Sequence, residues 1–270
     1  RKAMDKKSEG SVIGVIPARM DSSRFPGKPL EDIVGIPMVG HVQCRSAMSD
    51  LLDDLYVATC DQEIYDYIES IGGNALMTAD THERASDRTA EALRKVERTK
   101  GHPADVVVMI QGDEPMVRPQ MIDEALTPLL ENPSLRISNL MGPLKTEQEH
   151  EDSNEVKVVV SPDNFALYFS REPIPNTEHA GDETVPPRKQ VCIIPFRRDF
   201  LIEFNEMETT PLEKTESIDM LRVLEHGYRV KLVPTEYEVY SVDTESDRQR
   251  VESLMESDPL VDSYRPDAAK

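Results

Sequence analysis

The feature that most restricts the fold of this chain is a repeated alternation between short apolar runs and helical patterns. The runs VIGVI, LYVA and VVVMI contain almost no polar residues. Such short runs are typical of parallel strands that are buried on both faces. The alternation predicts an α/β fold, a mostly parallel sheet covered by helices. The predicted strands are 12–16, 55–58, 75–77 and 106–110, and the predicted helices are 38–48, 63–71, one from about 86 and one after 119.

The pattern changes after about residue 132, where strand-like runs follow one another without long helices between them. They predict extra sheet structure or a small dimerisation lobe near 133–200, with strands at 137–140, 155–160, 166–169 and 191–195. The next segments predict a helix at 210–227, which Gly227 would cap, strands at 228–233 and 239–242, and a last helix at 244–255.

The two ends of the chain differ in composition from the rest. Residues 1–10 are polar and charged and predict a flexible leader. Residues 258–270 contain prolines and charges and predict a flexible tail outside the fold. Residues 11–257 are therefore expected to form a single domain.

Composition argues against several classes of partner. The chain carries 51 Asp and Glu residues against 31 Lys and Arg, a net charge of -20, whereas nucleic-acid binding needs a continuous basic surface. No apolar run approaches the roughly 18 residues of a membrane helix, and the first residues lack an apolar signal core. The cysteines Cys44, Cys60 and Cys192 are widely spaced, without histidines at zinc-binding distances. We expect a cytoplasmic protein that binds neither nucleic acid nor membrane.

A basic loop directly follows the first apolar run. Arg19, Arg24 and Lys28 lie on a turn rich in Pro, Gly and Ser, and no carboxylate lies between Arg24 and Leu30. Open α/β sheets bind ligands at the carboxyl ends of their strands, where backbone N–H groups and cations hold phosphate oxygens. The alternative is a solvated turn between a strand and a helix. The position of the loop in an otherwise acidic chain favours a triphosphate site.

Carboxylates follow two other predicted strands. The run VVVMIQGDEP ends in Asp113 and Glu114, and Asp243 follows the strand predicted at 239–242. Hard oxygen ligands at strand ends suit Mg²⁺, and two carboxylates can clamp a metal on the phosphates of a nucleotide. The alternatives are a helix-capping role for Asp113 and an ordinary helix N-terminal role for Asp243.

Nine segments occur in an order that resembles the CMP-Kdo synthetases (3-deoxy-manno-octulosonate cytidylyltransferases) across about residues 12–256. They are PARMDSSRFPGKPL, DLYVATCD, MTADTHERASDR, QGDEP, NEVKVVV, ALYFSREPIP, PLEKTES, LRVLEHGYRV and VDTESD. The resemblance implies a Rossmann-like nucleotidyltransferase sheet, similar to that of GT-A enzymes, with a dimerisation lobe. It also implies a homodimer that uses Mg²⁺ and reacts CTP with an acidic keto-sugar, giving a CMP-sugar and pyrophosphate.

The resemblance also implies roles for individual residues. Arg19, Ser22 or Ser23, Arg24 and Lys28 would hold the phosphates of CTP, and Gln111 would lie near the cytosine. Asp113 and Asp243 would bind Mg²⁺, and Arg19, Lys28 and Asp113 form the expected catalytic set. In this mechanism the anomeric hydroxyl of the sugar attacks the α-phosphorus, so no protein nucleophile is required.

The chain departs from the family mainly where the acceptor sugar would bind. His-Gln-Ser-Gly-Thr of the family is replaced by the residues from His82 to Ser86, His-x-Gly-x-Tyr by 190–194, and Glu-Gln by Asp219 and Met220. The acceptor is therefore expected to be Kdo, a modified Kdo such as an amino-substituted form, or another small acid or phosphonate. The expected acceptor set is Glu83, Arg84, Arg88, Gln190, Glu216 and Asp219.

Within this set, Glu83 and Asp219 would suit an amino group, and Arg84 or Arg88 would suit the carboxylate of the acceptor. His82 is either a general base or a capping residue. Two other functions remain open at this stage. They are a GT-A-like glycosyltransferase, which the PGKPL loop argues against, and a silent nucleotide-sugar binding protein, which would need neither metal carboxylate.

Overall fold

The structure, a computed structural model, describes residues 11–21, 24–179 and 185–265. The predicted leader 1–10, the phosphate ligands Ser22 and Ser23, and residues 266–270 of the predicted tail lie outside the described residues. The strands are β1 (Val12–Ala18), β2 (Asp32–Ile33), β3 (Ile36–Pro37), β4 (Asp54–Thr59), β5 (Ala75–Met77), β6 (Val106–Ile110), β7 (Ser138–Pro143), β8 (Lys157–Val160), β9 (Ala166–Ser170), β10 (Arg188–Val191), β11 (Ile193–Arg197) and β12 (Lys231–Pro234).

The helices cover the sheets and alternate with the strands of the first half. They are α1 (Met38–Ser46), α2 (Gln62–Ser70), α3 (Ala85–Lys100), α4 (Pro119–Glu131), α5 (Glu147–Glu151), α6 (Arg198–Glu206), α7 (Pro211–Glu216), α8 (Met220–Glu225), α9 (Glu245–Met255) and α10 (Pro259–Asp262). A single 3₁₀ turn, Lys28–Leu30, follows the basic loop.

The first sheet has the order β11-β6-β1-β4-β5. Strands β6, β1, β4 and β5 are parallel, and β11 joins the edge of β6 in the antiparallel direction. Alternate residues of β1 pack on opposite faces of the sheet, so that Ile13 and Val15 belong to one core and Val12 and Ile16 to another. The parallel α/β architecture predicted from the apolar runs is thus confirmed. It places the carboxyl ends of β1 and β6 side by side.

The second sheet has the order β12-β7-β10-β8-β9 and is antiparallel except for the β12–β7 pair. The prediction of extra sheet structure after residue 132 is confirmed, but residues 133–200 do not form one lobe. Strand β11 belongs to the first sheet, and β12 enters the second sheet from outside that range. Strands that follow one another in the sequence are often, but not always, neighbours in one sheet, so consecutive strands can join different sheets.

Three predictions in residues 210–242 differ from the structure. The helix expected at 210–227 is two short helices, α7 and α8, because Ser217 adopts the left-handed conformation (φ 55°, ψ 51°) between them. Residues 239–242 form no strand. The carbonyls of Val239 and Val242 accept hydrogen bonds from Lys189 and Lys28 instead of from a neighbouring strand. The strand predicted at 228–233 begins only at Lys231.

The predicted flexible tail is wrong for residues 258–265, which pack against α1. Asp258 caps α10 by accepting from the backbone N–H of Leu260 (3.0 Å), and Val261 is buried. The carboxylate of Asp258 also pairs with the buried guanidinium of Arg45 (2.8 Å). Prolines and charges predicted a flexible tail, but Pro259 begins α10 and Asp258 neutralises a buried cation. In the part of the chain that the structure describes, every helix is too short or too polar to cross a bilayer.

Candidate active site

The basic loop folds back at the carboxyl end of β1. Gly27 adopts a left-handed conformation (φ 78°) that glycine tolerates without strain, and its N–H donates to the carbonyl of Met20 (2.9 Å). This turn aims Lys28 back towards the end of the sheet. A cavity of about 350 Å³ opens above the loop, between β1, β6 and the residues that precede α3. We call it the first cavity.

Lys28 lies between the two carboxylates predicted to bind metal. Its ammonium donates to Asp113 Oδ2 (2.9 Å) and to the carbonyl of Val242 (3.0 Å), and it lies 3.4 Å from Asp243 Oδ1. Burial alone would lower the pKa of Lys28, but the charges and hydrogen bonds of Asp113 and Asp243 outweigh it and raise the pKa above 10.5. The three predicted groups therefore form one ionised cluster.

This cluster offers a partial fit to Mg²⁺. Asp113 Oδ1 is buried and has no hydrogen-bond partner among the described residues, so one hard oxygen is left for a cation. Within the described residues, no group of three or more His, Cys, Asp or Glu side chains could hold a metal by itself. Mg²⁺ is commonly held by one or two carboxylates together with substrate phosphates, and Asp113 and Asp243 fit that pattern.

A second cavity of about 290 Å³ adjoins the first and lies against the second sheet. Arg24, Gln111, Asp113 and Asp243 line both cavities. A ligand in one cavity would therefore meet a ligand in the other at the carboxyl end of β6. Arg24 also spans the junction, because its guanidinium donates to Asn154 Oδ1 (2.8 Å) and pairs with Asp243 (3.3 Å).

Two further cations line the second cavity. Arg171 donates to three backbone carbonyls, those of Glu216 (2.7 Å), Ser153 (2.9 Å) and Ser217 (3.2 Å). Its guanidinium forms no salt bridge in the described residues, although the carboxylate of Glu216, which accepts from the Arg171 backbone N–H (2.9 Å), partly offsets its charge. Lys189, by contrast, pairs with Glu155 (3.0 Å).

Acidic groups in the same cavity have shifted pKa values. Burial, with the nearby charge of Asp113, raises the pKa of Glu114 to about 8, so this carboxyl is largely protonated at neutral pH. Burial also raises the pKa of Asp219, against the opposing charge of Arg84. The carboxylate of Asp219 has no hydrogen-bond partner among the described residues.

The predicted nucleotide ligands lie together. Arg19, Arg24, Lys28, Gln111, Asp113 and Asp243 all line the first cavity. Gln111 donates to Asp113 Oδ2 (3.0 Å), which ties the end of β6 to the ionised cluster. Arg19 follows β1, and Gln111 and Asp113 follow β6, whereas Asp243 lies after a segment that forms no strand. Their roles as ligands stay predictions.

The predicted acceptor ligands are divided. Gln190 and Asp219 line the second cavity, but Glu83, Arg84 and Arg88 line the first. Arg84 pairs with Glu213 (3.1 Å), while Arg88 is buried and donates to Thr78 and to the carbonyl of Ala79.

Two other predicted residues are held by neighbouring side chains. Glu216 lines neither cavity, since its carboxylate accepts from Ser170 (2.7 Å) and from the N–H of Arg171 (2.9 Å). His82 lines the first cavity and is paired with Glu91.

Only part of the second cavity was predicted from the sequence, through acceptor-side positions such as Ser86, Gln190 and Asp219. Asn154, Glu155, Arg171 and Lys189 line it, together with Ser86 and an apolar wall that includes Ile194, Phe204, Ile218 and Met220. Asn154 and Arg171 lie inside the segments NEVKVVV and ALYFSREPIP, which were recognised as motifs but were given no role.

Comparisons with known proteins give a consistent result. The sequence model of a family described as cytidylyltransferase matches residues 13–232. A 3-deoxy-manno-octulosonate cytidylyltransferase of Geotalea uraniireducens is 42% identical over 249 residues, covering 89% of this chain and 97% of the relative. A protein of the same name from Geobacter sulfurreducens is 40% identical over 250 residues, covering 89% of this chain and 98% of the relative.

Solved structures agree with these relatives. A CMP:2-keto-3-deoxy-manno-octonic acid synthetase, solved in complex with CTP, superposes with a TM-score of 0.83 at 36% identity, covering 91% of this chain and 98% of that one. A cytidylyltransferase from Leptospira borgpetersenii superposes with a TM-score of 0.60 at 15% identity and covers 92% of this chain and 87% of that one, a likeness of fold alone.

Proposed function

The chain belongs to the cytidylyltransferase family of nucleotidyltransferases, and we propose that it activates 3-deoxy-manno-octulosonate (Kdo) with CTP, forming CMP-Kdo and releasing pyrophosphate. One observation carries the proposal. Lys28, Asp113 and Asp243 form an ionised cluster beside the junction of two cavities, so that a nucleotide and an acceptor would meet at one point. The names of the relatives support CTP and Kdo as the two substrates.

On the nucleotide side, Arg19 and Lys28 stabilise the negative charge that develops on the pyrophosphate leaving group. Mg²⁺, held by Asp113 and Asp243, would supply further positive charge to the triphosphate when bound. Gln111 positions Asp113 through its amide hydrogen bond (3.0 Å). These residues stabilise charge and hold the triphosphate in place, and positioning of this kind accounts for most of the catalysis of phosphoryl transfer.

On the acceptor side, the guanidinium of Arg171, which forms no salt bridge in the described residues, attracts the carboxylate of the sugar acid. This replaces the expectation that Arg84 or Arg88 would do so, because those two arginines line the first cavity. The anomeric hydroxyl then attacks the α-phosphorus, forming the new P–O bond while the bond to pyrophosphate breaks. His82 is paired with Glu91, and we assign it no role as a base.

The resemblance to the family also supports three broader proposals. We propose that the protein is a homodimer, that it acts in the cytoplasm, and that its product enters lipopolysaccharide synthesis. A single experiment tests the oligomeric state, since light scattering of the purified chain separates a monomer of 30.5 kDa from a dimer.

The central test measures pyrophosphate release from CTP with Mg²⁺ and Kdo, with UTP in place of CTP as the nucleotide control. Release with Kdo that disappears in EDTA supports the proposal. Absence of release with Kdo, accompanied by turnover of a sialic-type acid or a small phosphonate, would reassign the acceptor. Absence of release with every acid, while CTP still binds, would favour the silent binding protein.

One observation favours a second acceptor, an amino-substituted Kdo. The carboxylate of Asp219 lines the second cavity without a hydrogen-bond partner in the described chain, and an ammonium group would supply one. If this acceptor is the better one, 8-amino-8-deoxy-Kdo should have the higher kcat/KM, and Asp219→Asn should reduce the preference. If the ratio of kcat/KM for 8-amino-8-deoxy-Kdo to kcat/KM for Kdo is the same in the wild type and in Asp219→Asn, this second acceptor loses its support.

A further inference from the structure

The C-terminal segment (residues 242–264) packs against the part of the chain that carries the nucleotide site. That part, the phosphate-loop region (residues 24–45), contains Lys28 and also Met38, which lines the first cavity. Val242, Val251, Met255 and Val261 form one core with Ile33 and Met38, and this core is separate from those of the main sheet. The two regions are distant in sequence, so their contact must be formed by tertiary structure alone.

Polar contacts join these two regions along their whole length. Lys28 donates to the carbonyl of Val242 (3.0 Å), next to Asp243. Further along, Arg248 donates to the carbonyl of Asp32 (2.9 Å). The N–H of Val34 donates to Glu252 (3.2 Å). The segment that supplies Asp243 is therefore fixed directly to the segment that supplies Lys28.

The strongest contacts lie at the far end, on one face of α1. His41 and Arg45 are four residues apart on that face and are fully buried. Arg45 Nε donates to Tyr264 Oη (2.7 Å), and Arg45 Nη2 pairs with Asp258 (2.8 Å). His41 contacts Tyr264 Oη through Nδ1 (2.8 Å) and the carbonyl of Ile33 through Nε2 (2.7 Å).

The direction of each hydrogen bond in this network follows from its partners. The carbonyl of Ile33 only accepts, so His41 Nε2 carries the proton and Nδ1 accepts. The Tyr264 hydroxyl then donates to His41 and accepts from Arg45. Burial lowers the pKa of His41 to about 4, which agrees with a neutral ring. The hydroxyl of Tyr264 therefore completes a directed chain from Arg45 to Ile33, five residues beyond Lys28.

We propose that residues 258–264 form a C-terminal clamp on the phosphate-loop region, in which Tyr264 is a positioning residue for the Lys28, Asp113 and Asp243 cluster. The inference rests on the proposed function, because the cluster it positions is the CTP site. Tyr264 acts through Arg45, His41 and the shared core, since it lines neither cavity. The clamp would set the affinity for CTP with Mg²⁺ and would leave the acceptor side unchanged.

Calorimetric titration of CTP in the presence of Mg²⁺, without acceptor, tests the clamp. Tyr264→Phe keeps the ring but removes the hydroxyl, and we expect it to raise the dissociation constant about tenfold. Tyr228→Phe is the matched control. Its hydroxyl also contacts a charged side chain, in this case by donating to Glu203. Tyr228 lies in neither cavity, so this variant should bind CTP like the wild type.

A purely structural role for Tyr264 predicts a different pattern. If Tyr264 only stabilised the fold, Tyr264→Phe would lower the melting temperature and the fraction of active protein. The CTP affinity of the folded protein would then be unchanged. The clamp instead predicts a raised KM for CTP, with kcat at saturating CTP and the KM for the acceptor both at wild-type values. If Tyr264→Phe does not fold, Arg248→Lys removes the contact to Asp32 at the partly exposed end of the interface and should also weaken CTP binding.

The outcomes separate this inference from the function on which it rests. If wild-type protein does not bind CTP, the proposed function is wrong. If the wild type binds CTP and Tyr264→Phe binds with the same dissociation constant, the proposed function stands and the clamp is overturned.

Discussion

Replacing Lys28 with Met should destabilise the metal-free protein as well as abolish turnover. The ammonium lies 2.9 Å from Asp113 and 3.4 Å from Asp243, and the Lys28 side chain is only 14% exposed. Its removal leaves the carboxylate of Asp113 and the carbonyl of Val242 without a cation, while Asp243 keeps only its pair with the more exposed Arg24 (3.3 Å). Removal of one partner from a buried ion pair costs 3–5 kcal/mol, and partial exposure of Asp243 places this case near the lower limit, about 3 kcal/mol.

Such a loss is measurable by thermal denaturation in EDTA. For a chain of 270 residues, about 3 kcal/mol corresponds to a fall of about 5 °C in melting temperature. Addition of Mg²⁺ should stabilise Lys28→Met more than the wild type, because a dication can occupy the position of the missing ammonium. The control Lys100→Met breaks a more exposed ion pair, with Asp54, and should cost less than about 1 kcal/mol.

Turnover should fall at least about 10³-fold in Lys28→Met, since the charge on the leaving group loses its fixed cation. Lys28→Arg retains the charge and should keep most of the stability. The pKa of Lys28 is raised in the folded state, so its stabilising contribution is complete below pH 10.5 and is lost as the pH rises through the higher value. A variant Lys28→Met that melts with the wild type in EDTA, or keeps a tenth of its kcat, would refute this reasoning.

Three further predictions concern other residues of the two cavities. Asp113→Asn should lower kcat at least about 10³-fold with an unchanged circular dichroism spectrum, and a kcat within tenfold of wild type would contradict its assignment. The pKa of Glu114 is about 8 in the folded state, above its ordinary value of 4.5, so its ionisation destabilises the fold progressively between those two pH values. Urea denaturation should therefore show Glu114→Gln gaining stability over the wild type as the pH rises from 5 to 8; a pH-independent difference would exclude this explanation. Arg171→Lys should raise the KM for the acid about tenfold without changing the KM for CTP. Steady-state kinetics with each substrate varied in turn measures both constants. A raised KM for CTP with an unchanged KM for the acid would place Arg171 on the nucleotide side instead.

Local sequence patterns predicted the parallel strands of the first sheet, though not that the antiparallel strand β11 belongs to it, and they predicted residues that line the first cavity. Strands β5 and β6 begin and end at the predicted residues, because each is a short apolar run between polar neighbours. The parallel arrangement then brings Lys28 and Asp113 to one edge, since each follows the carboxyl end of a strand. Neither inference needs any information about distant contacts.

The second cavity could not be predicted in this way. Ser86 and Met220 were assigned to the acceptor side only through the resemblance to the family. Asn154 and Arg171 come from segments that share no local pattern, and only the packing of the second sheet brings them together. The same limit applies to residues 258–265. Their composition matches that of a linker, and the reason they are ordered is a buried Arg45 that lies more than two hundred residues earlier.

The break between α7 and α8 at Ser217 shows how the side chain of Arg171 links local helical structure to the shape of the second cavity. Residues 210–227 have helical periodicity, but Arg171 donates to the carbonyls of Glu216 and Ser217, which a continuous helix would use for its own hydrogen bonds. The chain therefore turns at Ser217, and the turn brings Asp219 into the second cavity. Arg171 thus shapes the acceptor cavity as well as supplying positive charge to it. For that reason Arg171→Lys, which cannot reach three carbonyls at once, should weaken acceptor binding more than the loss of a single ionic contact would.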